Sequence, residues 1–417
     1  MPAVLDISGL HEFLSEYKDA EYCSLDELKC LKTVESEMSG FKIFTNSFWT
    51  AKQRQASSIH EVSYRACFKP QLPRFFIELL TDAGDIVYDP FTGRGTTVIE
   101  AALLGRNVIS NDINPLSRIL CEPRLDTPDY DNIKDRLYLI KQEREDLSEF
   151  CLPMFYHPKT ESEIVFLKKY LERKRLEGDE DYIDKWIRMV ATNRLTGHSP
   201  GFFSVYTLPP NQAVSKESQV RINKKRNQAP EYRDTNALIL KKSRQLLKDI
   251  GESGRCRLKS AGDKAVFLTN DAKNTPEIPD DSVALTVTSP PFLNIVQYAA
   301  DNWLRCWFNS LDAKAIGKKI TMSGTLSGWC CAMEDVFKEL YRITKPYGWV
   351  AFEVGEVRNG SVKLDEHIVP LGIKAGFTCA GILINEQNFT KTSNIWGISN
   401  KKRGTNTNRV VIFQKNE

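Results

Sequence analysis

The chain has 417 residues, 41% hydrophobic and 27% charged, with ten cysteines and a net charge of +3. That composition excludes global disorder and suits two domains, or one large domain carrying an insertion. No apolar run approaches the ~20 residues of a membrane span and the N-terminus lacks the basic-then-apolar build of a signal peptide, so a cytoplasmic protein is expected. The cysteines are scattered without a CxxC pair, which argues against structural zinc and a disulfide framework; no metal site is expected.

In chain order, residues 1–40 read as a helical lead-in, with Leu10, Phe13, Leu14 and Tyr17 at helical spacing. Residues 69–80 predict a helix opened by Pro70. Ile86–Tyr88 predicts a buried strand, followed by a glycine turn, a helix from Thr96 to Leu104 closed by Gly105, and a second strand from Asn107 to Ser110. Strand, glycine loop, helix, strand and acid make up the first half of a doubly wound α/β sheet. Residues 126–256 break the pattern with charged helices at about 131–149, 160–175, 180–195 and 234–250, and a loop-like stretch from Gly197 to Pro230. Alternation resumes with strands at Val266–Leu268 and Val283–Val287, a helix from Met333 to Ile343, a strand from Trp349 to Val354, and a closing hairpin of Ile382–Ile384 with Val410–Phe413. The expected organisation is a lead-in (1–40), one α/β domain (41–125 and 257–417) and a helical insertion (126–256).

The first loop reads Asp89-Pro90-Phe91-Thr92-Gly93-Arg94-Gly95-Thr96-Thr97. Gly93 and Gly95 let backbone N–H groups approach a ligand, and the helix that follows favours a carboxylate or phosphate at its N-terminus. The loop is not GxxxxGK[ST], and it lacks the third glycine of GxGxxG. Asp112 lies 19 residues after Gly93 at the end of the second strand, where an acid can accept both ribose hydroxyls of an adenosine. With the Asp-Pro-Phe lead, this fits S-adenosylmethionine better than NAD. Asp271, after the next strand, is placed to accept from an adenine amino group.

Residues 288–292 read Thr-Ser-Pro-Pro-Phe. A buried strand running into two prolines ends at the carboxyl edge, where ligands of α/β sheets sit. Prolines supply no N–H, so the backbone presents acceptors. The Pro290 carbonyl and the Ser289 hydroxyl could hold an exocyclic amino group, Pro291 would stiffen the turn, and Phe292 offers a face for a planar base. Two acceptors on its hydrogens favour a tetrahedral nitrogen whose lone pair is free to take a methyl group; proximity supplies much of the remaining rate.

Together these motifs resemble the amino-methyltransferases that act on DNA. Phe68-Lys69-Pro70 resembles the segment that helps hold the methionine end of the cofactor, DPFTGRGTT resembles the cofactor loop, and TSPPF resembles the tetrad of cytosine-N4 enzymes more than the Asp- or Asn-Pro-Pro-Tyr of adenine-N6 enzymes. FLNIVQYAADNWLRCWF and TKTSNIWGISNKKRGTNTNRVV also look like segments of site-specific bacterial methylases. The resemblance implies a Rossmann-like, S-adenosylmethionine-dependent methyltransferase sheet interrupted by a mostly helical, basic insertion. It implies Phe68, Lys69, Asp89, Phe91, Gly93, Gly95, Thr96, Thr97, Asp112 and Asp271 as cofactor residues, and Ser289, Pro290, Pro291 and Phe292 as catalytic ones.

Residues 151–260 hold 22 Lys and Arg against 13 Asp and Glu, and an excess of that kind inside an otherwise mildly acidic chain suggests a nucleic-acid partner. The insertion is expected to recognise the target. Arg194, Asn211 and Gln212 are candidates for base edges; Arg221, Lys224, Lys225 and Arg226, interleaved with Phe202, Phe203 and Tyr206, are candidates for phosphates, with Lys401, Lys402 and Arg403 as a possible second contact. His60 and His198 read as structural histidines. The reading is a monomeric, site-specific N4-cytosine methyltransferase of double-stranded DNA, with a cognate restriction endonuclease acting separately. Adenine-N6 methylation, RNA base methylation and a non-catalytic DNA-binding specificity subunit stay open as alternatives.

Overall fold

The computed structural model describes residues 5–17, 33–49, 56–65, 67–142, 152–208, 212–291, 298–320, 325–357, 362–386 and 407–417. The first elements are α1 (Ile7–Ser15), β1 (Val34–Met38), β2 (Phe41–Asn46), α2 (Gln71–Leu80), β3 (Ile86–Asp89), α3 (Thr96–Leu103), β4 (Asn107–Asn111) and α4 (Leu116–Cys121). The insertion contributes α5 (Tyr130–Gln142), α6 (Pro158–Glu177), α7 (Tyr182–Arg194), α8 (Lys216–Arg226) and α9 (Thr235–Leu246). The chain returns to the sheet through α10 (Glu252–Gly262), β5 (Val266–Leu268), β6 (Val283–Thr288), α11 (Tyr298–Phe308), α12 (Ala313–Lys319) and α13 (Leu326–Ile343). It ends with β7 (Thr344–Val354), the short pair β8 (Glu356–Val357) and β9 (Val362–Lys363), α14 (Asp365–Ala375), β10 (Thr378–Glu386) and β11 (Thr407–Gln414).

Nine strands form one sheet in the order β1-β2-β10-β11-β7-β6-β3-β4-β5. Strands β5, β4, β3, β6 and β7 run parallel; β11 is antiparallel to both β7 and β10. The strand order reverses between β3 and β6, which makes their carboxyl ends the crevice of a Rossmann-like sheet. Strand β6 is buried at all six positions, as a central parallel strand covered on both faces must be. One face packs α13 and α14 through Phe337, Leu340 and Ile368. The other carries α2 and α3, and its core runs without a break into the insertion through Trp186, Ile187 and Ile239.

Three expectations are corrected here. The 1–40 segment is not wholly helical: α1 ends at Ser15, and β1 forms a hairpin with β2 around Ser39 and Gly40, both at positive φ. That turn suits the twist of a two-residue hairpin. The 197–230 stretch is not all loop, because α8 lies within it, capped by Ser215, whose side chain accepts from Ser218 N–H, and closed by Asn227 at φ 47°. Finally, α10 crosses the expected 256/257 boundary and is the crossover between β4 and β5; a Cβ on its Gly262 would lie 3.0 Å from Leu125 Cβ.

Gly95 sits at φ 81°, and a Cβ there would run into the Cys121 side chain and the Arg124 guanidinium. Left-handed backbone costs about 1–2 kcal/mol and overpacking about 1–3 kcal/mol. Gly95→Ala is therefore expected to lower unfolding stability by about 2–4 kcal/mol, read as a drop in the urea midpoint at constant slope.

Candidate active site

A cleft of about 1110 Å³, open at its mouth, lies at the sheet crossover. Its walls come from the loops after β3, β4, β5 and β6, from Tyr64, Arg65, Cys67 and Phe68, and from α13. Of the expected cofactor residues, Phe68, Asp89, Phe91, Gly93, Thr96, Asp112 and Asp271 line it; Ser289 and Pro291 line it too. Four aspartates (Asp89, Asp112, Asp271 and Asp335) face Arg65 and Lys273 as the cationic lining side chains. Both cations have partners, Arg65 with Asp301 at 2.6 Å and Lys273 with Asp271 at 3.1 Å. The cleft is thus acidic inside a basic chain.

The acids are held in place by the backbone. Asp112 accepts from Gly93 N–H (2.8 Å) through one oxygen and from Asn114 N–H (2.9 Å) through the other. Each oxygen keeps a lone pair, so the carboxylate can still take two hydroxyls. Burial pushes its pKa up to about 6 against the opposing pull of these amides. Asp89, at the end of β3, accepts from Thr288 Oγ1 (2.6 Å) and Phe91 N–H (3.1 Å), and burial pushes it up to about 7. Raised carboxyls are relieved by a nearby cation or by added donors. S-adenosylmethionine offers an ammonium, a sulfonium and two ribose hydroxyls, so this donor set fits it. A dinucleotide, with its anionic pyrophosphate, meets like charge here.

Several expected residues have other places. Lys69, Gly95, Thr97 and Pro290 are not among the lining side chains. Thr97 donates its hydroxyl to Val287 O (3.0 Å), pinning α3 to β6. Lys69 is half-buried, and burial and Arg94 lower its pKa. Phe292, Asn211, Lys401, Lys402 and Arg403 lie outside the described residues. Arg194, expected at base edges, is instead buried: its guanidinium stands 4.0 Å from the Phe202 ring centroid and donates to Asn193. Phe202 and Phe203 are buried as well, so those aromatics belong to the core. Gln212 is half-buried, while Arg221, Lys224, Lys225 and Arg226 are exposed along α8, the last over Tyr206 at 3.7 Å. His60 is structural, bonded to Glu100 at 2.7 Å, whereas His198 is exposed.

Other site residues were not expected from sequence. Arg94, inside the glycine loop, is buried and donates to Val62 O (3.1 Å) and Phe68 O (3.2 Å), so it braces the cleft's rim. Tyr64 OH accepts from Asn114 Nδ2 at 3.1 Å. Trp329 on α13 donates its indole N–H to Pro291 O at 3.0 Å, holding the double-proline turn in register. Glu353 on β7 is buried; Ser289 and Asn408 hydrogen-bond to its carboxyl, and burial raises its pKa above the ordinary range. An acid inside the apolar run 349–354 is the signal that would have found it.

Residues 13–117 match a family model described as DNA methylase. The Type II methyltransferase M.MjaII of Methanocaldococcus jannaschii is 32% identical over 85 residues, 20% of this chain and 16% of that protein. The Type II methyltransferase M.BsoBI of Geobacillus stearothermophilus is 23% identical over 314 residues, 70% of this chain and 60% of that protein. The chain therefore spans less than two thirds of either relative. A solved putative DNA modification methylase from Thermus thermophilus, complexed with S-adenosyl-L-methionine, is similar at 20% identity over 36% of this chain and 54% of that one, with a TM-score of 0.21. The chain is thus similar, over parts of its length, to DNA methylases and to Type II methyltransferases.

Proposed function

We propose that this chain methylates the exocyclic N4 amino group of cytosine at specific sites in duplex DNA, with S-adenosylmethionine as methyl donor, as the modification enzyme of a restriction–modification system. The observation that carries this reading is a single acidic cleft lined both by the glycine loop with Asp112 and by Ser289 and Pro291. When bound, the cofactor supplies an electrophilic methyl group on a positively charged sulfur. Asp112 would hold the ribose, Asp271 the adenine edge, and Asp89, Phe91 and Phe68 the methionine end.

The tetrad handles the base. Ser289 gives its hydroxyl hydrogen to Glu353, which leaves the Oγ lone pairs to accept from the target amino group. The Pro290 carbonyl is the second acceptor in this reading and Phe292 the stacking face. Drawing both amino hydrogens out of the ring plane lowers conjugation and frees the nitrogen lone pair. The proton leaves the nitrogen after transfer, so no strong base is needed at the start. The base must leave the helix stack to reach Ser289. Exposed Arg221, Lys224, Lys225 and Arg226 on α8 would contact phosphates, with Gln212 beside them.

Duplex DNA incubated with the protein and S-adenosylmethionine, then digested to nucleosides for mass spectrometry, is expected to contain N4-methylcytosine. N6-methyladenine instead would overturn the choice of base and keep the cofactor site. No methylated base on any DNA, with methylation of RNA, would overturn the substrate.

A further inference from the structure

We infer that α12 is a second phosphate-binding element, set at the mouth of the cleft and made to grip the duplex backbone beside the target base. The inference rests on the DNA reading above. Helix α12 carries Lys314, Lys318 and Lys319, all exposed. Its nearby acid is the N-cap, Asp312, which accepts from the backbone N–H groups of Lys314 and Ala315 at 2.9 and 3.0 Å. None of the three lysines forms an ion pair with a described carboxylate. Lys259 and Lys374, also exposed, have such partners in Asp126 and Glu334, whereas Lys224 and Lys225 of α8, like the α12 lysines, have none among the described carboxylates.

Like charges four residues apart on a helix, as Lys314 and Lys318 are, weaken it by a few tenths of a kcal/mol, and an anion between them relieves that repulsion. Position adds a second, independent argument. Ile320, the residue after Lys319, lines the same cleft as Ser289 and Pro291. Helix α12 packs on α11. The other exposed basic helix, α8, is tethered to α11 as well: Ala213 N–H donates to Asp301 O at 2.8 Å, and the Trp303 indole donates to Val214 O at 3.0 Å. Two basic helices thus attach to the helix that follows the tetrad. A ligand matching both helices, and the cleft that Ile320 lines beside α12, is a long polyanion with a base turned inward. Lysine suits this task, being a mobile point charge that follows phosphates without reading sequence.

The test is fluorescence anisotropy of duplex DNA binding against salt concentration, comparing the wild type with a K314Q/K318Q/K319Q variant. Removing one phosphate-neutralising charge lowers the slope of log affinity against log salt by about 0.9. A fall of about two to three in slope, with about a 10–100-fold weaker affinity near 0.1 M salt, is expected. S-adenosylmethionine affinity and melting temperature should stay unchanged, and the triple arginine variant should restore most of the slope. An unchanged slope overturns the inference, even where wild-type binding and methylation are intact. A slope change seen with single-stranded RNA and not with duplex DNA overturns it too. Failure of the wild type to bind DNA at all would instead bring down the function it rests on.

Discussion

Ser289→Ala is expected to lower the methyl-transfer rate by about 10²–10³-fold, the scale of losing one preorganised polar partner at a reacting centre, while leaving DNA and cofactor binding within about threefold. The hydroxyl lines the cleft, and its removal costs the Glu353 carboxyl one donor while Asn408 still donates to it. Glu353→Gln should act through Ser289. Glutamine keeps an acceptor for the serine or for Asn408 but loses the charge, so a milder fall of about tenfold is expected, in kcat rather than in KM. The pH profile separates a positioning role from a structural one. Burial raises the Glu353 pKa, so the wild-type rate should decline on the acid side as that carboxyl takes up a proton and its negative charge no longer strengthens the hydrogen bond from Ser289. The glutamine variant should lack that acid limb. Full activity in Ser289→Ala would remove the tetrad from the chemistry.

The parts legible in the sequence were those where local chemistry and global position agree. Ile86–Asp89, Gly93, Gly95 and Asp112 form a strand, loop, helix, strand unit whose ligand position follows from parallel-sheet geometry alone, and the observed cleft lies there. The Thr-Ser-Pro-Pro run was readable for the same reason, as a buried strand that two prolines must end. What escaped depends on partners distant in the chain. Arg194 looked like a surface reader because charge is normally solvated, yet Phe202 and Asn193 cover it. Helix α8 buries Gln219 as its one buried side chain, so no apolar stripe announced it; its caps, Ser215 and Asn227, were the available signal. The β1–β2 hairpin was obscured by the helical spacing of Leu10 and Leu14 before it. Glu353 meets Ser289 across two strands, β7 and β6, a pairing that only the sheet register creates.

S-adenosylmethionine binding and folding stability should respond to pH in opposite directions, because both turn on the same carboxyls. Burial raises Asp112 to about 6 and Asp89 to about 7, above their value of about 3.9 in an unfolded chain. Between about pH 4 and 7 the folded protein therefore holds protons that the unfolded chain has released, and unfolding free energy falls as pH rises through that window. Ligand binding needs the ionised acids to accept hydroxyls and offset a cation. Affinity should therefore rise over the same interval, by about fivefold from pH 5 to pH 6 for the Asp112 contribution alone. Thermal melts of the free protein should move down from pH 5 to pH 8, while the added shift from saturating cofactor grows. Asp112→Asn should weaken the cofactor about 10–100-fold at pH 8, the range of one charge-assisted hydrogen-bond pair removed, and flatten its pH dependence below pH 6. Asparagine also turns one oxygen that accepts from a backbone N–H into a donor facing it. The glycine loop should then loosen, and the variant should gain no stability at high pH despite having no carboxylate to bury. Unchanged affinity in Asp112→Asn would mean that this acid serves only Gly93 and Asn114, and the ribose contact would have to be sought among the other acids of the cleft.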